Sequence, residues 1–302
     1  MVSQTGSIAS GLALFQRESK MIQFVVNKQG AELQSLRCIG QEYLWQGDPD
    51  YWKRKAPILF PIVGRVTDDI LRIDGCEYKM NQHGFARDSE FEQISASYFI
   101  LRSNGRNDYP YAFELSARYT SQFNSLICEW EVTNCSNRDM HFQIGAHPAF
   151  NLPDYNESDE IHGFIQCYDG QGNVINPMVV NHLVDGLRYS YGTPKLINNS
   201  KAILPLTNRT FADDAILLEG KQIASATLFD KYGRKVLTVT CPQAEAFGLW
   251  APAKKGCSFV CIEPWCGIAN RYNFNGDISE REYNHSLKPN DTYLFSYKVE
   301  LF

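Results

Sequence analysis

The sequence predicts an all-β protein, an antiparallel sandwich or barrel. Three observations carry that expectation. Strand-like apolar runs recur every ten or so residues from Leu12 to the carboxyl end. Hardly any window carries the 3.6-residue apolar period of a helix, only Asp277 to Tyr283 being long enough for a turn or two. Strands follow one another without intervening helices, which disfavours a parallel α/β sheet. The 302 residues are 44% hydrophobic and 13% aromatic, enough for a sizeable core.

In chain order, residues 1–10 are small and polar and read as a disordered tail or an appended remnant, leaving 11–302 as a single domain. Leu12 to Phe15 and Met21 to Val26 read as strands around a polar turn. Gly30 to Leu36 continues the alternation, with Gly30 marking a bend. Further strands are expected at Gln41 to Trp45, Ile70 to Ile73 (closed by Asp74-Gly75), Phe91 to Ile94, Tyr98 to Leu101, Ala112 to Tyr119, Leu126 to Val132 and Met140 to Ile144. The stretch 151–205 is the least regular, rich in Gly and Asn, and reads as a long excursion within the domain. Beyond it come Ala224 to Phe229, a hairpin loop at Asp230 to Arg234, then Lys235 to Thr240, Ala246 to Trp250, Phe259 to Ile262 and Thr292 to Leu301.

Composition narrows the function. A net charge of -5 argues against nucleic acid or an acidic membrane as partner, and Lys53-Arg54-Lys55 is too short to be a basic tract. No apolar run approaches the ~20 residues that span a bilayer. Nine cysteines without a repeated CxxC pair point to free buried thiols in a reducing compartment rather than to zinc, and the absence of a signal-peptide pattern agrees with a cytoplasmic protein.

Five stretches can carry chemistry. Glu263 closes the apolar run Phe259 to Ile262 and is followed by Pro264 and Trp265, so a carboxylate is held at a strand end beside an indole. His147, in Gly145-Ala146-His147-Pro148, follows two small residues and is pinned by proline; it is either a hydrogen-bonded structural residue or a proton donor. Arg65 ends the proline-bracketed run Ala56 to Gly64, where a guanidinium calls for an anionic or hydroxyl partner. His83 and Arg87 share the stretch Gln82 to Asp88, in which Arg87 either pairs with Asp88 or Glu90 or faces a ligand. Asp213 and Asp214 precede an apolar strand, where one acid can cap a turn. Trp250 either lines a cleft or packs in the core, Trp45 and Trp52 read as core or rim, and His141, His162, His182 and His285 as surface or packing residues.

Taken together, Gly30-Ala31-Glu32-Leu33, Tyr43-Leu44-Trp45-Gln46-Gly47, Pro57 to Arg65, Gln82 to Arg87, Gly145 to Phe150 and Glu263-Pro264-Trp265 resemble the aldose 1-epimerase (galactose mutarotase-like) family, in particular its bacterial LacX-like branch, from about residue 12 onward. The resemblance implies a large antiparallel β-supersandwich with a sugar cleft. It implies a cofactor-free, metal-free reaction that interconverts the α and β anomers of an aldose or aldose phosphate. It makes Glu263 the general base, His147 the general acid, and Arg65, His83, Arg87 and Asp214 substrate-binding residues, Asp213 competing with Asp214. Two alternatives stay open: a carbohydrate-binding protein without turnover, and a mutarotase of hexose 6-phosphates. The expected partner is a small sugar, with no nucleic acid and no membrane, and the chain is expected as a monomer or homodimer.

Overall fold

The computed structural model describes residues 22–198 and 202–302, so the expected strand at Leu12 to Phe15, and Met21, lie outside the described residues. The regular structure of the described chain is antiparallel strand apart from three single 3-10 turns. One of these, Ile278–Glu280, is all that forms in the Asp277 to Tyr283 window. Asp277 accepts from the Ser279 N–H, and Glu280 accepts in return from the Asp277 N–H, a capping box that closes one turn and no more. No helix among the described residues is long and apolar enough to cross a membrane.

A ten-stranded sheet forms one layer. Its path runs Val174–Ile175, Gly163–Tyr168, Ser225–Asp230, Lys235–Thr240, Thr292–Leu301, Ser125–Asn134, Tyr109–Gln122, Tyr98–Arg106, Glu92–Ser95, with Leu204–Leu206 beside Gly163–Tyr168. The central strands alternate as period-two packing requires. Tyr109, Tyr111, Phe113, Leu115, Ala117 and Tyr119 all point inward. Trp130 lies directly opposite Phe295 in the register, and their rings stack at 5.1 Å. Cross-strand aromatic pairs of this kind hold both register and core.

A six-stranded sheet forms the second layer, in the order Ile216–Glu219, Ala246–Trp250, Phe259–Cys266, Ile144–Ala146, Ile58–Leu59, with Ala149–Asn151 also on Phe259–Cys266. Phe60, just past the edge strand, packs on Phe113 at 5.2 Å and on Tyr109 at 6.0 Å, joining the two layers through one apolar core.

Two expectations change. The stretch 151–205 is not a loop: it supplies Gly163–Tyr168 and the hairpin Met178–Val184 with Leu187–Leu196. Met178–Val184 is mostly half-exposed and carries Asn and His, so its strand signal is weak in the sequence. Nor does the strand of Glu263 stop before Pro264; it runs on through Trp265 to Cys266. The Ile262 N–H donates to Pro148 O, and alternate N–H groups of a strand face the same side. The side where Pro264 lacks a donor is therefore the side where Ile144–Ala146 and Ala149–Asn151 are interrupted, at His147 and Pro148.

Candidate active site

That interruption builds the site. Gly145 pairs with Trp265 and Ala149 with Cys261 in one continuous antiparallel register, which sets His147 opposite Glu263. On the other flank Gly248 pairs with Glu263. A Cβ on Gly248 would stand 2.9 Å from Trp265 Cζ2 and 3.4 Å from Glu263 Cδ, so the absent side chain makes the room in which carboxyl and indole lie. The strand order then lays out the remaining groups: Asp214 just before Ile216–Glu219, Trp250 at the end of its strand, Glu263, His147, and Arg65 beyond Ile58–Leu59.

His83 reaches the same place through the adjoining loop. Its N–H donates to Gly64 O at 2.8 Å, and Gly64 N–H donates to His83 Nδ1 at 3.1 Å. Nδ1 is thereby an acceptor, which leaves the proton of the neutral ring on Nε2. Gly64 has φ +69°, and a Cβ there would lie 2.4 Å from Ala269 Cβ, so only glycine allows this close turn.

All six residues singled out in the sequence line one cavity of about 410 Å³. Asp214 lines it and Asp213 does not. The cavity also takes residues that sequence reasoning did not assign: Gln82, and Leu183, Asp185 and Gly186 from the hairpin within 151–205. Trp52 stacks on His147 at 4.7 Å, and Trp250 meets both rings edge-on, so Trp52 and Trp250 are walls of the cleft. Trp45 instead packs on Phe259 at 4.4 Å in the core.

Charge is unevenly compensated. Arg65 makes a two-pronged pair with Asp69, at 2.9 and 3.0 Å, and donates to Asp185 O. Arg87 takes only a loose ion pair from its neighbours. Asp88 is held by Arg54 at 2.8 Å and stands 3.8 Å from Arg87, and Glu90 is held by Lys28. Arg54, which also donates to Arg87 O at 3.4 Å, anchors the Arg87 turn. Arg87 donates to Gln82 O, its Nε is buried without a hydrogen-bond partner, and burial followed by the Arg54 charge lowers its pKa to about 10. It is the least compensated cation lining the cleft.

His147 Nε2 lies 3.1 Å from Glu263 Oε2, and both side chains are almost fully buried. Burial, then Arg87, lowers His147 to about pH 3, whereas burial, then the charge of Asp214, raises Glu263 well above the carboxylate range. Both shifts run against the reference values, at which a glutamate is ionised and a histidine roughly a quarter protonated at neutral pH. Low dielectric disfavours both a second proton on the pair and the loss of the last one, so the pair keeps a single proton over a broad range. His83 is pushed well below its ordinary value by burial and Arg87 and stays neutral.

The two-layer antiparallel fold with an open cleft over its smaller sheet belongs to a known class. Similar crystal structures include a galactose mutarotase related enzyme from Lactobacillus acidophilus (TM-score 0.84, 30% identity, 94% of this chain and 96% of that one) and a galactose mutarotase-like protein from Lactobacillus casei ATCC 334 (TM-score 0.82, 28% identity, 94% and 98%). The sequence model of the aldose 1-epimerase family matches residues 15–300. The chromosomal protein LacX of Lactococcus lactis subsp. lactis is 30% identical over 285 residues, 90% of this chain and 94% of LacX. This chain belongs to the aldose 1-epimerase family.

Proposed function

We propose that the protein is an aldose mutarotase, with Glu263 as base and His147 as acid in ring opening, and with Arg65, His83, Arg87 and Asp214 binding the sugar. The observation that carries the reading is the 3.1 Å approach of two buried proton carriers on the floor of an open cleft. A binder without turnover has no use for such a pair.

The anomeric hydroxyl and the ring oxygen sit on one carbon, closer together than the two side chains, so adjacent groups can address both. Glu263 takes the proton of O1, the O1 electrons form the carbonyl, the bond from C1 to the ring oxygen breaks, and that oxygen takes the proton of His147. Glu263 gains one proton and His147 loses one, so the pair's total stays at one. Rotation about C1–C2 and the reverse step close the ring from the other face. The neutral pair that burial favours is the state from which closure begins; opening starts once the proton has moved from Glu263 to His147 across the 3.1 Å contact, and closure returns the pair to that charged form. Trp52 and Trp250 offer flat apolar walls for the sugar face, and His83 Nε2–H and the Asp214 carboxyl offer one donor and one acceptor for hydroxyls.

The pH profile tests the shared proton. With the acid limb at about 3 for His147, kcat/KM at pH 4 should retain most of its neutral value. An ordinary glutamate of pKa ~4.3 would leave about a third of the base ionised there. A fall to that level, in protein shown by circular dichroism to be folded, would refute the pair.

Arg87 tests the binding side. Losing a charge-assisted hydrogen bond costs about 1.5–3 kcal/mol, so Arg87→Ala should raise KM roughly 10- to 100-fold with a smaller change in kcat. Because Arg65 is already matched by Asp69, a neutral aldose is the expected substrate. Comparing D-glucose with D-glucose 6-phosphate checks this: a phosphate preference that Arg87→Ala abolishes would favour the hexose 6-phosphate reading instead.

A further inference from the structure

Cys261 lies two residues before Glu263, so its side chain shares the cleft face of the strand, while Cys266 points to the opposite face. The mutarotase reading uses Glu263 and His147 and gives Cys261 no task. Yet one donor atom each from His147, Cys261 and Glu263 lie within 4.8 Å of one another, and all three residues are buried. Glu263 Oε2 and His147 Nδ1 have no hydrogen-bond partner. Two side chains more than nine-tenths buried thus carry donor atoms without a hydrogen-bond partner beside a thiol, and two of the three residues open onto the cleft.

The geometry points to a site for a thiophilic divalent cation of the Zn²⁺ class, held by His147, Cys261 and Glu263, with its remaining positions facing the cleft. Nitrogen, sulfur and oxygen donors together suit Zn²⁺ or Co²⁺ and exclude Mg²⁺ and Ca²⁺, which take oxygen alone. Bonds of about 2.0 Å to nitrogen and about 2.3 Å to sulfur mean that a small side-chain adjustment brings three such atoms onto one ion. Three protein ligands and an open position are the usual pattern of a zinc that exchanges its outer ligand. Here the ion engages His147 and Glu263, the two side chains that the proposed reaction needs for its proton, so occupancy by metal excludes turnover. The site is an inhibitory one, entered from the cleft.

A second group, Glu245, Cys266 and His285, also gathers donor atoms within 4.8 Å, with His285 Nε2 3.4 Å from Glu245 Oε2. It lies behind the strand and serves as the internal control.

The test is a Co²⁺ titration of the reduced full-length protein, followed by the thiolate-to-metal absorption in the ultraviolet. Wild type and Cys266→Ala should bind one ion with this band. Cys261→Ala should lose the band and bind at least roughly tenfold more weakly. His147→Ala, a change at the cleft wall, should weaken binding likewise, so the assignment does not depend on one core substitution. None of these readings requires turnover. In a separate arm, which does rest on the mutarotase reading, Zn²⁺ should slow anomer interconversion by wild type, and Cys261→Ala should be at least tenfold less sensitive. No thiolate band in wild type, or a band that survives Cys261→Ala and vanishes in Cys266→Ala, would overturn the site.

Discussion

Glu263→Gln should lower kcat for anomer interconversion by roughly 10³-fold, within the range that positioned acid–base groups supply. The amide keeps the size of the side chain but cannot take a proton from O1. His147→Ala should cost a similar factor by leaving the ring oxygen without a donor. The informative quantity is the double variant. Two groups 3.1 Å apart that pass one proton between them act as a unit, so the double loss should be far smaller than the product of the single losses. Polarimetry on a freshly dissolved pure anomer measures all four proteins. Full multiplicativity would mean that the two side chains act independently, whatever their separation.

Arg188→Met should destabilise the fold by about 3 kcal/mol, at the low end for breaking a buried ion pair. Arg188 is buried, bonds Glu219 at 2.9 Å and Glu282, and donates to Ala269 O at 2.7 Å. Methionine fills similar space but leaves the Glu219 carboxylate, itself 9% exposed, without its counter-charge. Glu282 is 43% exposed and keeps Arg271, which is why the upper end of the range is not expected. Urea unfolding reads the loss directly. The variant should also raise KM, because the main chain of Arg188 ties the Asp185–Gly186 turn to Asn270, and Asn270 N–H donates to Arg65 O. A variant as stable as wild type would show that this buried network does not hold the hairpin.

The sequence made the site's polar groups legible and its walls illegible. His83 beside a glycine and His147 and Glu263 beside prolines each advertise a fixed backbone, and all of them reach the cleft. Trp52 carries no such local mark, since an indole in a polar loop reads equally as rim or core; only its stacking on His147 assigns it. The hairpin Met178–Val184 with Leu187–Leu196 was hard to read because Asn181 and His182 interrupt the apolar run of its half-exposed first strand, and its ties to the molecule, Arg188 to Glu219 and Glu282 and Met178 to Gln222, reach far away in sequence. The half of the large sheet from Ser225–Asp230 through Ser125–Asn134 to Glu92–Ser95 was legible strand by strand because apolar and aromatic residues alternate along it, whereas Gly163–Tyr168, Val174–Ile175 and Leu204–Leu206 were not, and strand order came only from the register. Protonation states are illegible in the sequence for a like reason. Reference pKa values ignore burial, and burial of His147 and Glu263 is a property of the packed sheets rather than of either motif.

The most direct test of the acid–base account is two-dimensional NMR exchange on an aldose in D₂O. Wild type should produce exchange between the α and β H1 signals, faster than the spontaneous rate, while the H2 signal keeps its full intensity, because the base takes its proton from O1 and never from C2. Glu263→Gln should return exchange close to the spontaneous rate. No acceleration with any aldose, or loss of H2 to deuterium during exchange, would contradict the account.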